Sequence, residues 1–215
     1  IGLSYVTAGA ALALVAKMSI DHIKENGMLS LIIKAVLSTI AVFVFFEVFP
    51  HMPVGVSEVH LIMGSTIFLL FGLAPAAIGL ALGLLVQGVF FAQFDLPQYG
   101  MNVTTLIVPM MAMSALAKKI IAPNTAYKDL TYTQTLKLST TYQAGIVAWV
   151  AFWAFYGQGF GAEALTSVSL FGAAYMSVIV IEPVLDLAIL ALAKSISTFS
   201  NTTLFEKRLY ATVKK

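Results

Sequence analysis

The chain has 215 residues, 60% hydrophobic and 10% charged, with a formal net charge of +2 and no cysteine. A soluble domain carries roughly a quarter charged residues, so this composition excludes a water-facing exterior and is that of an all-α polytopic membrane protein in a lipid bilayer. The small positive charge gives no basic field for nucleic acid, and without thiols there is neither a disulfide nor a thiolate metal site, so a bound metal would be held by nitrogen or oxygen.

Seven apolar segments are predicted. The sequence opens on Ile1 with no initiator Met and no basic leader region, which carries the expectation that native residues precede it. In the first segment, residues 1–18, Gly9, Ala13 and Ala16 make a small-residue stripe on one helix face that permits close helix contact, although alanine-rich filler explains it equally well. A polar turn over 19–27 leads to the second segment, 28–49, which contains Lys34 and Glu47. Lys34 lies about two turns inside and is expected to snorkel to the interface as an anchor.

Two of the three histidines, His51 and His60, follow, where a polar loop becomes apolar. Ser57 is the predicted N-cap of the next helix, with His60 in its first turn. An imidazole on a rigid element, beside a loop constrained by Pro53 and Gly55, is placed to ligate a metal; an interfacial histidine at a helix start is the competing reading. The nine-residue separation of His51 and His60 lets the two converge but is not diagnostic.

The third segment, 59–71, is broken from the fourth, 76–94, by Gly72-Leu73-Ala74-Pro75. Together they are too long for one span, which predicts an αα-hairpin with a tight apolar turn. Gly79, Gly83 and Gln87 recur every four residues, so the glycines let a neighbouring backbone approach, while Gln87 either hydrogen-bonds between helices or lines a polar path. After a turn-rich loop over 95–101, Asn102 opens the fifth segment, to residue 121, as a cap or as an inward-facing oxygen donor. Lys118 and Lys119 close it, and a polar stretch over 123–135 follows. The sixth, 138–156, places Trp149, Trp153 and Tyr156 near one end as an aromatic belt. The seventh, 164–193, holds Glu182, Pro183 and Asp186; two carboxylates four residues apart within a membrane helix are expensive, and are either functional or paired, for example with Lys34. The tail, 195–215, is basic and weakly amphipathic, fit to lie on a membrane surface.

If all seven segments span, one side receives Lys17, Lys24, Lys118, Lys119, Lys128, Lys137 and the tail's Lys207, Arg208, Lys214 and Lys215. The other receives Glu47, Glu58, Asp95 and Glu163 and no Lys or Arg. The positive-inside rule then makes the C-terminus cytoplasmic and the N-terminus, with His51 and His60, external. No His-Glu-x-x-His, Gly-x-Ser-x-Gly, Walker A or Gly-x-Gly-x-x-Gly pattern occurs, so the chain is expected not to be an enzyme, and an ATPase would be a separate subunit.

Four stretches in order carry a family resemblance: Pro53-Val54-Gly55-Val56-Ser57-Glu58-Val59-His60-Leu61-Ile62-Met63-Gly64, then Leu84-Leu85-Val86-Gln87-Gly88-Val89-Phe90-Phe91, Gly100-Met101-Asn102 and Ile181-Glu182. They resemble the CbiM/NikM family, the substrate-specific membrane components of cobalt and nickel energy-coupling-factor (ECF-type ABC) transporters. The resemblance implies uptake of Co2+ or Ni2+ as the transported substrate, in a bacterial inner membrane and in support of cobalamin biosynthesis, together with a transmembrane coupling subunit and cytoplasmic ATPase subunits. It implies a nearly planar nitrogen set in which only His60 carries over, with the remaining ligands upstream of Ile1. A ligating imidazole needs its second nitrogen oriented, which makes Gln87 and Asn102 supporting residues. His51 is a further metal or gate candidate, and Glu182 and Asp186 are the intramembrane acidic pair. The chain departs from the pattern in lacking a glycine pair before Ser57 and in having Pro183 after Glu182. The expected organisation is a transmembrane metal-capture domain over 1–200 and a basic cytoplasmic tail over 201–215. A non-transporting structural subunit of a larger complex and an intramembrane enzyme using Glu182 and Asp186 are the alternatives.

Overall fold

The computed structural model describes residues 2–123 and 125–195; the tail predicted over 201–215 lies outside the described residues. These form seven α-helices: α1 (Gly2–Asn26), α2 (Met28–Phe43), α3 (Gly64–Phe71), α4 (Leu73–Phe90), α5 (Tyr99–Ile120), α6 (Tyr132–Gln158) and α7 (Ala162–Ser195). A π turn, Val44–Val48, extends α2, and 3-10 turns at Gln93–Gln98 and Tyr127–Asp129 precede α5 and α6. A two-stranded antiparallel hairpin, β1 (Met52–Val54) and β2 (Ser57–Val59), stands between α2 and α3.

Glycine and capping chemistry set the boundaries. Gly27 and Gly72, with φ of 86° and 90°, divide α1 from α2 and α3 from α4, and Gly159 at 77° closes α6. Only a residue without Cβ adopts such angles without strain. At the start of α6, Thr131 accepts from the Gln134 amide and the Gln134 side chain accepts from the Thr131 amide, a complete capping box.

The helices make an all-α membrane bundle. Five stretches are long and apolar enough to cross a membrane: Gly2–Asn26, Met28–Val48, Leu73–Phe90, Gln93–Ile120 and Ala162–Leu192. Their outward faces carry exposed Val6, Leu14, Ile32, Val36, Val89, Val180 and Val184, a surface suited to lipid rather than water.

Contacts fix the direction of each element. Gly79 of α4 packs on Ser38 of α2 and Gly83 on Val42, so α2 and α4 run parallel. The chain between them therefore returns the full height of the bundle, and it does so partly without helix. Gly55 packs on Ser167, the His60 amide lies against the Tyr175 hydroxyl, and Ile62 and Ser65 meet Glu182 and Asp186, so residues 55–65 descend beside α7. α3 then continues down, with seven of its eight residues buried.

Several expectations are corrected here. Ser57 does not cap a helix and His60 is not in a first turn: residues 57–59 pair as a strand and the helix begins only at Gly64. The predicted third segment over 59–71 is thus an extended stretch plus a short helix. Asn102 lies within the first turn of α5, which starts at Tyr99 and has Gln98 at its cap position. Lys34 does not snorkel; it is buried at 1% exposure. Trp153 is not a belt residue, being buried with its indole N–H donating to Thr104 Oγ1 at 3.3 Å, whereas Tyr156 is exposed. The Gly9, Ala13 and Ala16 stripe faces outward, and α1 packs inward through Ser4, Ala8, Ala11 and Val15.

Candidate metal-capture cavity

A cavity of about 390 Å³ opens at the hairpin end of the bundle. Its walls come from elements distant in sequence: the hairpin supplies Ser57 and Glu58, the extended stretch His60, α4 Gln87, the segment before α5 Asp95, α5 Asn102, and α7 Tyr175. His60, Gln87 and Asn102, chosen from sequence alone, therefore line one space.

Each is positioned by a local cause. The Gly79 and Gly83 face of α4 lies close to α2, which carries Gln87 to the π turn, where its amide donates to Glu47 Oε2 at 3.3 Å. Gln87 thus makes an interhelical hydrogen bond and also lines the cavity. The π turn, a backbone irregularity frequent at functional sites, places the Phe46 ring 4.2 Å from the His60 ring. Nδ1 of His60 is buried and has no hydrogen-bond partner, so the site holds a buried nitrogen that the protein leaves unsatisfied.

α7 lines the cavity with Phe171 and Tyr175 and, farther along, holds the chain that follows His60. Glu182 Oε1 accepts from the backbone amides of Ile62 and Met63, each at 2.8 Å, and Oε2 accepts from Gln143 Nε2 at 2.6 Å. One turn on, Asp186 Oδ2 accepts from Ser65 Oγ at 2.8 Å. These groups hold the two carboxylates. Asp186 also faces Tyr127 in the turn before α6, whose phenol is pushed upward in pKa by burial and by the nearby acid.

His51 is not among the cavity-lining residues. It lies just before β1, Nδ1 3.6 Å from the cavity-lining Glu58 Oε2 and near enough to His60 to interact with it electrostatically, both the His51 and Glu58 side chains being about one-third exposed at 35% and 34%. Glu58 and Asp95 are close enough to interact electrostatically and both line the cavity, so its rim is acidic and suited to drawing in a cation. Among the described residues no group of three or more His, Asp or Glu is placed to cage a metal. A metal at His60 would need donors beyond that set. The start of α1 lies beside this rim: Gly100 packs against Ser4, and the Tyr5 hydroxyl donates to the Pro97 carbonyl at 3.4 Å.

Sequence reasoning missed the hairpin, Asp95 and Tyr175. The first had a signal in Gly55 with φ 60° between two short strands, the arrangement of a two-residue hairpin loop with glycine first. Tyr175 stands seven residues, about two turns, before Glu182 on the inward face of α7.

Residues 2–198 match the CbiM family model, described as the cobalt uptake substrate-specific transmembrane region. No curated protein and no solved structure matches.

Proposed function

The chain belongs to the CbiM family, so it is a substrate-specific membrane component of cobalt uptake, and from that premise we propose that the cavity is where the metal is captured. The observation that carries this is the buried, unpartnered His60 nitrogen in a cavity shared with Gln87 and Asn102 beneath an acidic rim. His60 is a direct ligand in this reading. Gln87 and Asn102 orient it or the bound ion's remaining donors, and His51 acts at the approach. Donors beyond His60 complete the metal's coordination, and the seating of Ser4 and Tyr5 beside Gly100 and Pro97 brings the start of α1 to the rim. A nitrogen-rich site of this kind accommodates Ni(II) as well as Co(II), and the proposal includes nickel as a second cargo.

The protein sits in the bacterial inner membrane, with all seven traverses spanning and the cavity end outward. This is supported by the alternating direction of the traverses, with Glu47, Glu58 and Asp95 at the cavity end and Lys118 and Lys119 closing α5 at the opposite one. The proposal further gives ATP hydrolysis to separate cytoplasmic subunits, joined through a transmembrane coupling subunit of an energy-coupling-factor assembly, so that this chain is itself no enzyme. Residues 1–200 are the capture domain and 201–215 a cytoplasmic tail.

Cobalt analysis of the full-length protein, purified from cells given Co2+, tests the ligand assignment. The wild-type protein should retain the metal and His60→Ala should lose at least about tenfold of its affinity, the scale of losing a first ligand or its support. Equal metal content in the two would remove His60 from the site, and metal in neither would favour a structural subunit.

A further inference from the structure

Residues 60–63 pass through the bundle without helix or strand partners, and Met63 takes a left-handed conformation at φ 53° that is unusual for a residue with a side chain. Non-helical backbone at such depth needs its amides satisfied by protein. Here a single oxygen of Glu182 accepts from both Ile62 and Met63, while the second oxygen is held by Gln143, which is itself fully buried. Asp186 fixes Ser65 one turn below, and Gly64 packs against the Tyr142 ring. α7 thus grips the chain at 62, 63 and 65, and touches it again where Tyr175 meets the amide of His60. The imidazole is two residues above the nearest amide that Glu182 binds.

We propose that Glu182, oriented by Gln143, is a positioning residue for the metal: by pinning the Ile62 and Met63 amides it sets where the His60 imidazole stands in the cavity. This rests on the reading of His60 as a ligand. It assigns the costly carboxylate in α7 a role in binding geometry rather than in contact with the cargo, and it explains why an acid is used. An amide oxygen could accept the same two backbone bonds, while a carboxylate adds a second acceptor for Gln143 Nε2.

The experiment is a Co2+ titration of the full-length protein in lipid nanodiscs, read by the visible ligand-field bands of bound Co2+, for wild type, His60→Ala, Glu182→Gln, Glu182→Ala and the exchanged pair Glu182→Gln/Gln143→Glu. Glu182→Ala should weaken Co2+ binding by about 10- to 100-fold, as loss of a ligand's support does, and should shift the bands of the metal still bound. Glu182→Gln should shift them less, and the exchanged pair, which restores an acceptor for every donor, should return the spectrum and affinity to within about threefold of wild type. If His60→Ala abolishes binding while folded Glu182→Ala keeps wild-type affinity and bands, the positioning role is overturned and the ligand assignment survives. If His60→Ala binds as wild type, the ligand assignment fails and the positioning role with it. Should Glu182→Ala not fold, Gln143→Leu decides, since it removes the group that orients Glu182: unchanged bands overturn the proposal and shifted ones support it.

Discussion

α4 and the stretch that precedes it both run the height of the bundle, and they do so by opposite means. α4 is an unbroken helix whose amides are bonded within the chain, so its neighbours need only supply fit: Gly79 and Gly83 let α2 come within contact of its backbone. Residues 57–71 are half extended and half helix, with α3 only eight residues long. There the backbone asks for acceptors from elsewhere: Glu182 on α7 takes the amides of Ile62 and Met63, and Asp186 one turn on takes the Ser65 hydroxyl. The regular traverse is held by shape and the irregular one by hydrogen bonds, and the irregular one carries His60. A helix would have given His60 less freedom to be aimed, since its backbone groups are spent on itself.

Substitutions that attack shape should cost more than those that remove one bond. A Cβ at Gly79 would come 2.7 Å from the carbonyl carbon of Ser38, too close for any real contact, and the obstacle is backbone, which cannot rotate away. Gly79→Leu should therefore destabilise the protein by about 3 kcal/mol or more, enough to prevent recovery of folded protein from the membrane. A folded Gly79→Leu variant with an unchanged denaturation midpoint would show that the α2–α4 contact is not what holds the regular traverse.

The bonded traverse predicts a smaller loss. Ser65→Ala removes the hydroxyl donated to Asp186 Oδ2, and Oδ1 already has no partner, so the variant leaves a buried carboxylate without either hydrogen bond. The expected cost is about 1–3 kcal/mol in a detergent unfolding titration. Because Ser65 and Glu182 hold the same four residues, the double variant Ser65→Ala/Glu182→Ala should lose less than the two single losses added together. Additive losses would mean that the two carboxylates act on separate structures.

The same contrast explains what was legible in the sequence. Glycine spacing of four announces a helix face, so α4, its packing stripe and Gln87 at the end of it were readable, as were most helix extents and the gathering of His60, Gln87 and Asn102. The irregular traverse reads as a helix from residue 59, because Val59, Leu61, Ile62 and Met63 are apolar and a short apolar run does not distinguish a buried extended chain from a buried helix. What settles it is a contact across 120 positions, Ile62 to Glu182, which no local pattern contains. Glu182 and Asp186 are visible as expensive, but their partners are not, since the backbone amides that bind Glu182 leave no mark in a sequence and Ser65 and Gln143 lie far from α7 along the chain. Lys34 was misplaced for a related reason: its position along the helix was clear, whereas the burial of its face depends on which helices surround it.

The smallest effect is expected where neither device operates. His51 precedes the hairpin, outside the clamp at Ile62 and Met63, and pairs with Glu58 at 3.6 Å, each side chain being about one-third exposed. Exposed pairs of this kind contribute about 0–1 kcal/mol. Removing the imidazole leaves Glu58 on the cavity wall near Asp95, so the acidic rim stays intact. His51→Ala should accordingly leave the unfolding midpoint unchanged and alter Co2+ affinity by no more than about threefold, the equivalent of roughly 0.7 kcal/mol. Its effect should shrink further at high salt, because a rim charge is screened while a ligand bond is not. A tenfold loss that persisted at high salt would place His51 on the metal and extend the ordered, function-bearing part of the traverse upward through the hairpin, erasing the boundary that the clamp at Ile62 and Met63 draws.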